Sequence, residues 1–316
     1  KGCAMRFTKK DILDIHSLDP DEISFILDTA MGMKEISRRP VKKVPTLRGK
    51  TIVLFFQEPS TRTKLSFEIA AKRLSADSVA IAKAGSSMAK GETLIDTVKN
   101  LESMRPDVIV MRHSSSGAAV QVACRVECSV INAGDGIHAH PSQALLDMMS
   151  VRENKGRIQG LKLAMIGDIA NSRVARSNII GFSKMGARVW VCAPQTMIPA
   201  GIAALGCTVA PTMEACVADA DVIMMLRIQK ERQNDVLFPT EREYAGRFGL
   251  NKARLALAKT DVTVMHPGPM NRGVEIASDV ADADCSMILD QVTNGVALRM
   301  ALYYLVAGGS RHADTD

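Results

Sequence analysis

The sequence has 316 residues, a formal net charge of +6, 47% hydrophobic residues and 23% charged residues. These values are typical of a globular protein with a substantial core, long enough for two domains or one large α/β unit. No stretch approaches the roughly 18 continuous apolar residues of a membrane span. No run of Lys and Arg is interleaved with aromatic residues, so we expect neither membrane insertion nor nucleic-acid binding. The positive balance favours small anions as ligands instead.

Seven cysteines are scattered along the chain, with no CxxC pair and no cluster of Cys and His. This pattern predicts buried, reduced thiols rather than disulfides or a zinc site. The N-terminal segment KGCAMRF carries no apolar secretory region. We therefore expect a cytoplasmic protein.

Short β-type runs alternate with helical patterns through the whole sequence. The first half contains the candidate strands TIVLFF (51–56), SVAIA (78–82), DVIVM (107–111) and SVINA (129–133). The second half contains LKLAMIG (161–167), RVWVCA (188–193), DVIMML (221–226) and DVTVM (261–265). Continuous apolar runs are expected of strands buried on both faces of a parallel sheet. The helical stretches between them, about ten to fifteen residues each, predict βαβ units.

The sequence also predicts where the chain divides. A helical pattern from about Pro141 to Arg152 leads into the charged, glycine-containing turn ENKGRIQG, and then into a new strand. We predict an α/β protein with two similar-sized domains, each a parallel sheet flanked by helices. The first spans 1–148, the second 149–289, and a C-terminal helix at 290–307 returns to the first domain.

An anion site is predicted at 60–63, where Ser60, Thr61, Arg62 and Thr63 follow the first strand and open a helical pattern. The N–H groups of a first helical turn point outward together, and the helix dipole favours negative charge there. Three hydroxyls and a guanidinium add donors suited to phosphate oxygens. An N-cap residue beside a solvated arginine is the alternative, but four such residues in succession favour an oxyanion, with phosphate as the preferred interpretation.

The stretch GSSMAKGETLIDT (85–97) is a glycine-bounded loop followed by a helix. It carries Ser86 and Lys90. A Gly-Ser-Ser loop has little to pack, so we interpret it as a lid that brings a second cation over the anion. A surface lysine is the alternative for Lys90.

Polar residues also follow other predicted strands. Arg112 and His113 follow the third strand, and His138, His140 and Gln143 surround the start of the helix after the fourth. Ligands of open α/β sheets bind outside the carboxyl ends of the strands. For each histidine, the alternative is a purely structural role. Metal binding by His138 and His140 is disfavoured because no acidic or Cys partner clusters with them.

The second half repeats this arrangement without a GxGxxG motif, which argues against dinucleotide binding. Arg173 lies on the helix after GDIANS, Arg227 and Gln229 follow DVIMML, and a Pro267-Gly268-Pro269 turn follows DVTVM. Arginines at strand ends can hold carboxylates in a bidentate manner, although each alone could be a solvated side chain.

Taken together, EPSTRT, KGET, RH, HPSQALLD, GDI followed by SRVARSN, RIQKER and HPGPMNRGVEI resemble the aspartate/ornithine carbamoyltransferase family in their order and spacing. The resemblance runs from about residue 10 to residue 305. Ornithine enzymes of the family typically carry His-Cys-Leu-Pro where this chain has 266–269, and they lack the segment at 227–232. The resemblance therefore implies transfer of a carbamoyl group from carbamoyl phosphate to L-aspartate, an early step of pyrimidine biosynthesis.

The resemblance also implies roles for individual residues. The residues matched to carbamoyl phosphate binding are Ser60, Thr61, Arg62, Thr63, Ser86, Arg112, His140, Gln143, Pro267 and Gly268. Those matched to aspartate binding are Lys90, Arg173, Arg227 and Gln229. A catalytic role falls to Arg62, Thr63, Lys90, Arg112 and His140. The chemistry needs no nucleophilic side chain, so we expect no metal and no cofactor.

The resemblance further implies a homotrimer with shared active sites, because Lys90 would act in the site of a neighbouring subunit. Association with regulatory or dihydroorotase-like chains is left open. Two alternatives remain for function. One is a carbamoyltransferase for another amino acid, such as ornithine or N-acetylornithine. The other is a catalytically silent homologue that serves as a scaffold.

Overall fold

The computed structural model describes residues 7–82, 91–229 and 238–308. These residues fall into two compact units. One comprises the residues up to Leu146 together with those from Asn294 onward, and the other comprises Asp147 to Thr293. The predicted loop residues Ser86 and Lys90, and the last part of RIQKER, lie outside the described residues.

The first unit is built on a four-stranded parallel sheet with the order β2-β1-β3-β4. Its strands are β1 Thr51–Phe56, β2 Asp77–Ala82, β3 Val108–His113 and β4 Ser129–Asp135. Its helices are α1 Pro20–Arg38, α2 Thr61–Arg73, α3 Leu94–Glu102 and α4 Ala118–Ala123, and α5 Pro141–Lys155 follows β4. Apolar side chains of β1, β3 and β4 pack with α3 and α4 in one cluster, which includes Phe55, Ile109 and Val130.

The second unit is built on a five-stranded parallel sheet with the order β7-β6-β5-β8-β9. Its strands are β5 Lys162–Ile166, β6 Arg188–Cys192, β7 Cys207–Val209, β8 Val222–Met225 and β9 Thr263–Met265. Its helices are α6 Arg173–Lys184, α7 Met213–Val217, α8 Glu241–Phe248, α9 Lys252–Leu255 and α10 Ser278–Ala281. Short 3₁₀ turns occupy Gln195–Met197 and Ile202–Leu205.

The C-terminal helix α11 spans Ile288–Tyr303 and ends in a π turn at Tyr304–Gly308. Its last part packs on α2 of the first unit. The Tyr303 and Phe67 rings meet edge to face at 5.7 Å, and the Arg299 guanidinium lies 4.8 Å from the centre of the Phe67 ring. These contacts hold in place the helix whose first residues form the predicted anion site.

The predicted fold class is confirmed, and all eight predicted strands are present with bounds that differ by at most two residues. The sequence did not predict β7, a three-residue edge strand with two exposed residues. Among the described residues, no helix is long and apolar enough to cross a membrane. The six described cysteines are free thiols. Of these, Cys192, Cys207 and Cys216 are buried, whereas Cys124 is exposed, contrary to the prediction of buried thiols.

Candidate active site

The carboxyl edge of the first sheet gathers most of the predicted site residues of this unit. Because β3 lies between β1 and β4, the loops that follow these three strands are neighbours at one edge. The segment 57–63 follows β1, Arg112 is the next-to-last residue of β3, and His140 follows β4. The order of the strands thus places together residues that are up to 83 positions apart in the sequence.

The helix predicted to begin near Ser60 does so. Ser60 is the N-cap residue of α2, in an extended conformation with φ −163°, and its side chain makes no capping hydrogen bond. Lys64 N–H donates to the Ser60 carbonyl at 3.2 Å, which is the first hydrogen bond of the helix. Thr61 and Arg62 are exposed and Thr63 is buried. The hydroxyl of Ser60 is therefore not used to cap its own helix, which favours the ligand interpretation over the N-cap alternative.

Arg112 bridges the loop after β1 and the neighbouring strand β4. Its Nη2 lies 3.2 Å from Glu58 Oε1, after β1, and its Nη1 donates to the Ala133 carbonyl on β4 at 3.3 Å. Its side chain is only 11% exposed. A guanidinium can make both contacts because its N–H groups diverge in one rigid plane. Arg112 is thus a fixed positive charge beside the start of α2.

His140 lies at the start of α5 and is 4% exposed. Its carbonyl accepts hydrogen bonds from Gln143 N at 3.0 Å and Ala144 N at 3.2 Å, and its Nδ1 lies 3.4 Å from Ser142 Oγ. Gln143 is also buried. The first turn of α5 therefore fixes the carbonyl of His140, and a Pro at the first helical position is typical of such a start.

In the second unit, Asp168 connects the loops after β5 and β8. Its carboxylate accepts hydrogen bonds from Asn171 N at 3.1 Å and from Gln229 N at 3.2 Å, and its side chain is fully buried. The two loops also approach closely at Gly167. Its φ is +135°, and a Cβ there would lie 2.4 Å from the Leu226 carbonyl oxygen. Gln229 is thereby placed beside the loop that leads to Arg173.

A buried tyrosine packs against the loop after β8. Tyr244 of α8 packs with Ile228, which lies between Arg227 and Gln229 in the sequence, and with the ring of Phe248 at 5.5 Å. Burial raises the pKa of Tyr244 far above its ordinary value, and the nearby carboxylates of Glu275 and Asp168 add to this shift. The phenol therefore stays neutral, as part of the apolar support of this loop.

The Pro267-Gly268-Pro269 turn after β9 is held by His266, whose side chain is fully buried. Gly268 N donates to His266 Nδ1 at 2.8 Å, so the ring proton is on Nε2, which lies 3.2 Å from Glu275 Oε1. The N–H of His266 donates to Gln291 Oε1 at 3.0 Å, and Gln291 in turn donates to the buried Asp147 at 2.8 Å. The turn is therefore fixed within its own unit.

Sequence reasoning named the basic residues at the strand ends and missed the carboxylates that contact them or fix their loops. Glu58, Asp135, Asp168 and Glu275 each lie in a loop at or after a strand end and accept hydrogen bonds. Their position directly beside predicted basic or loop residues was the available signal. Within the described ranges, no group of three or more His, Cys, Asp or Glu residues is arranged to hold a metal ion.

Comparison with known proteins finds relatives along most of the chain. A family model described as the aspartate/ornithine carbamoyltransferase carbamoyl-P binding domain matches residues 10–153, and the Asp/Orn binding domain of the same family matches 159–306. The aspartate carbamoyltransferase catalytic subunit of Desulforapulum autotrophicum is 72% identical, over 98% of this chain and 100% of that protein. The corresponding subunit of Desulfosudis oleivorans is 65% identical, over 98% and 99%.

Solved structures show the same likeness. An ornithine carbamoyltransferase from Pyrococcus furiosus is similar with a TM-score of 0.86 at 31% identity, covering 97% of this chain and 99% of that chain. An aspartate transcarbamoylase from Trypanosoma cruzi, solved in complex with carbamoyl phosphate, has a TM-score of 0.85 at 28% identity, covering 95% and 97%. The two family models together match most of the sequence. The chain belongs to the aspartate/ornithine carbamoyltransferase family.

Proposed function

We infer that this chain transfers the carbamoyl group of carbamoyl phosphate to the amine of L-aspartate, giving N-carbamoyl-L-aspartate and phosphate. The observation that carries this inference is the 72% identity, over essentially the full length of both chains, to a protein described as an aspartate carbamoyltransferase catalytic subunit. The structure of a Trypanosoma cruzi relative with carbamoyl aspartate and phosphate is consistent with it. The reaction belongs to de novo pyrimidine biosynthesis.

The first unit is proposed to bind carbamoyl phosphate. The start of α2, with Ser60 to Thr63, supplies outward N–H groups, hydroxyls and the Arg62 guanidinium for the phosphate. Arg112 and His140 face the carbonyl oxygen, and Gln143 orients the carbamoyl nitrogen. The support for these roles is the gathering of these residues at one sheet edge, with Arg112 held rigidly between Glu58 and Ala133.

The second unit is proposed to bind aspartate. Arg173 and Arg227 provide the cations for its two carboxylates, and Gln229 provides a neutral donor. Gln229 is supported in this role by Asp168, which fixes its backbone. The backbone of Pro267 and Gly268 is proposed to contact the carbamoyl amide. Ser86 and Lys90, which lie outside the described residues, remain proposed binding groups.

The proposed chemistry follows from these charges. The neutral aspartate amine attacks the carbonyl carbon, a C–N bond forms, and negative charge develops on the carbonyl oxygen. Donors from Thr63, Arg112 and His140 stabilise that oxyanion. The C–O bond to phosphate then breaks with its electron pair on the phosphate, and a phosphate oxygen takes the amine proton. Positioning of the two reactants supplies much of the rate, up to about 7–11 kcal/mol in favourable cases.

Assembly and location are part of the same proposal. Because the resemblance assigns Lys90 to a neighbouring subunit's site, we propose a homotrimer with shared active sites. The scattered cysteines of the sequence favour a cytoplasmic location. The sequence leaves open whether regulatory or dihydroorotase-like chains join this trimer, and size-exclusion chromatography with light scattering would test the trimer itself.

The experiment is phosphate release from carbamoyl phosphate with L-aspartate, L-ornithine or N-acetyl-L-ornithine, with the carbamoylated product identified by mass. Turnover is expected with aspartate alone. Turnover with another amine, or with none, would refute the proposed acceptor.

A pair of variants tests the aspartate site. Arg227→Ala is expected to raise the KM for aspartate at least about tenfold, because one bidentate contact is lost. The control Arg188→Ala removes an exposed arginine at the start of β6, the opposite end of the same sheet, and leaves the KM unchanged.

A further inference from the structure

Asp135 has no role in the site as proposed, yet its carboxylate accepts hydrogen bonds from several groups of the first unit. It is the last residue of β4 and is 1% exposed. Its Oδ1 accepts from Asn132 Nδ2 at 2.8 Å and from Ala139 N at 3.1 Å. Its Oδ2 accepts from Gly117 N at 2.7 Å and lies 3.0 Å from His138 Nδ1. His138 Nδ1 also lies 3.3 Å from Oδ1, so each carboxylate oxygen has at least two partners.

These bonds close the loop that leads to His140. In addition to the side-chain contacts, Asp135 N donates to the Ala139 carbonyl at 3.1 Å, and His138 N donates to the Asp135 carbonyl at 2.9 Å. The backbone is thus tied at Ala139, one residue before His140. Any shift of this loop moves the imidazole with it.

The same aspartate joins this loop to the one that follows β3. Gly117, which donates to Asp135, is the N-cap residue of α4. Gly136 N donates to the His113 carbonyl at 3.0 Å, and Ile137 N donates to Ser116 Oγ at 3.2 Å. Gly136 has φ +50°, and a Cβ there would lie 2.3 Å from Ser116 Oγ. The backbones of the two loops are therefore in direct contact.

We propose that Asp135 is a positioning residue for carbamoyl transfer. It fixes the loop carrying His140 against the loop that follows Arg112, so that both donors meet one carbonyl oxygen. This inference rests on the proposed function, because Asp135 acts through His140 and does not touch the substrate. A carboxylate suits the position because it only accepts, and four donors converge on it. An asparagine would place an NH₂ group against at least one of these N–H donors.

The test is a cycle of Asp135→Asn, His140→Ala and the double variant, measured by kcat and KM with carbamoyl phosphate and aspartate. Asp135→Asn alone is expected to lower kcat about 10- to 100-fold, because small misplacements of reacting groups have effects of this size. In the His140→Ala background the same substitution is expected to change kcat by less than about threefold. Equal effects in both backgrounds would overturn the proposal, because a purely structural role does not depend on His140.

The matched control is Asp107→Asn. Asp107 also accepts from a backbone N–H and a side chain, Thr51 N and Lys50 Nζ, both at 2.8 Å, but at the amino end of the same sheet. It is expected to leave kcat unchanged. If Asp135→Asn does not fold, as judged by circular dichroism, Ser116→Ala replaces it. This exposed substitution removes only the Ile137 N contact and is expected to lower kcat about two- to fivefold, again only when His140 is present.

The outcomes separate this proposal from the proposed function. Turnover by the wild type and by Asp107→Asn, with multiplicative effects of Asp135→Asn and His140→Ala, would overturn the positioning role alone. Absence of aspartate turnover by the wild type would refute the proposed function and this role with it.

Discussion

Replacing Arg112 by lysine tests the arrangement at the carboxyl edge of the first sheet. The guanidinium contacts the Ala133 carbonyl at 3.3 Å and Glu58 at 3.2 Å through different nitrogens. A lysine carries its charge on a single nitrogen and cannot span both partners. If Arg112 also donates to the carbonyl oxygen as proposed, loss of that donor lowers kcat about 10²- to 10³-fold, or about 2.7–4 kcal/mol.

The structure also predicts an effect on stability. The side chains of Arg112 and Glu58 are 11% and 21% exposed, so a poorly satisfied Glu58 carboxylate remains after the substitution. We expect a loss of about 1–3 kcal/mol in the free energy of unfolding. The assays are steady-state formation of carbamoyl aspartate and urea unfolding followed by circular dichroism.

The matched control is Arg125→Lys, which alters an exposed arginine whose Nη1 donates to the Gln121 carbonyl at 2.8 Å. It is expected to leave kcat and stability unchanged. A kcat of Arg112→Lys within threefold of the wild type would refute the reasoning, since it would mean that a single mobile ammonium replaces the bridging guanidinium. A large fall in stability with unchanged kcat would assign Arg112 to folding alone.

Three further predictions concern the second unit and the thiols. Gly167→Ala places a methyl group 2.4 Å from a carbonyl oxygen at φ +135°, so we expect a loss of at least about 1–3 kcal/mol in unfolding experiments and a raised KM for aspartate. Burial raises the pKa of Cys192 to about 11, so iodoacetamide at pH 8 should label the exposed Cys124 first, as read by peptide mass. Backbone hydrogen bonding, and then Arg254, lowers the pKa of Glu214 in the folded state. Glu214→Gln should therefore reduce stability near neutral pH, and the difference from wild type should vanish as the pH falls through that lowered pKa.

The strands could be predicted from the sequence because buried parallel strands are continuous apolar runs. TIVLFF matches β1 residue for residue. The ends of β3 and β4 were underestimated because the ladder continues into Arg112, His113 and Asp135, polar residues that an apolar pattern cannot detect. The edge strand β7 was missed because only three residues pair and two of them are exposed.

The position of Arg112 and His140 at strand ends could also be predicted, and the carboxyl ends of parallel strands are where ligands bind. The side chains that pair with each other across the fold could not be predicted. Glu58 meets Arg112 across 54 positions of sequence, and Gln291 meets Asp147 across 144. Such contacts depend on strand order, which the pattern of strands and helices does not specify.

The missed carboxylates share a feature that bears on how an anionic substrate is bound. Asp135, Asp168 and Glu275 are almost fully buried, and each accepts from a backbone N–H of a loop at the carboxyl edge of its sheet. Carboxylates at an anion site are unfavourable unless their charge is balanced, because like charges repel more strongly away from water. Here the same N–H groups that balance them also fix the loops. The acids of each edge thus rigidify the backbone, while the positive charge that carbamoyl phosphate and aspartate require is proposed to come from the side chains of Arg62, Arg173 and Arg227.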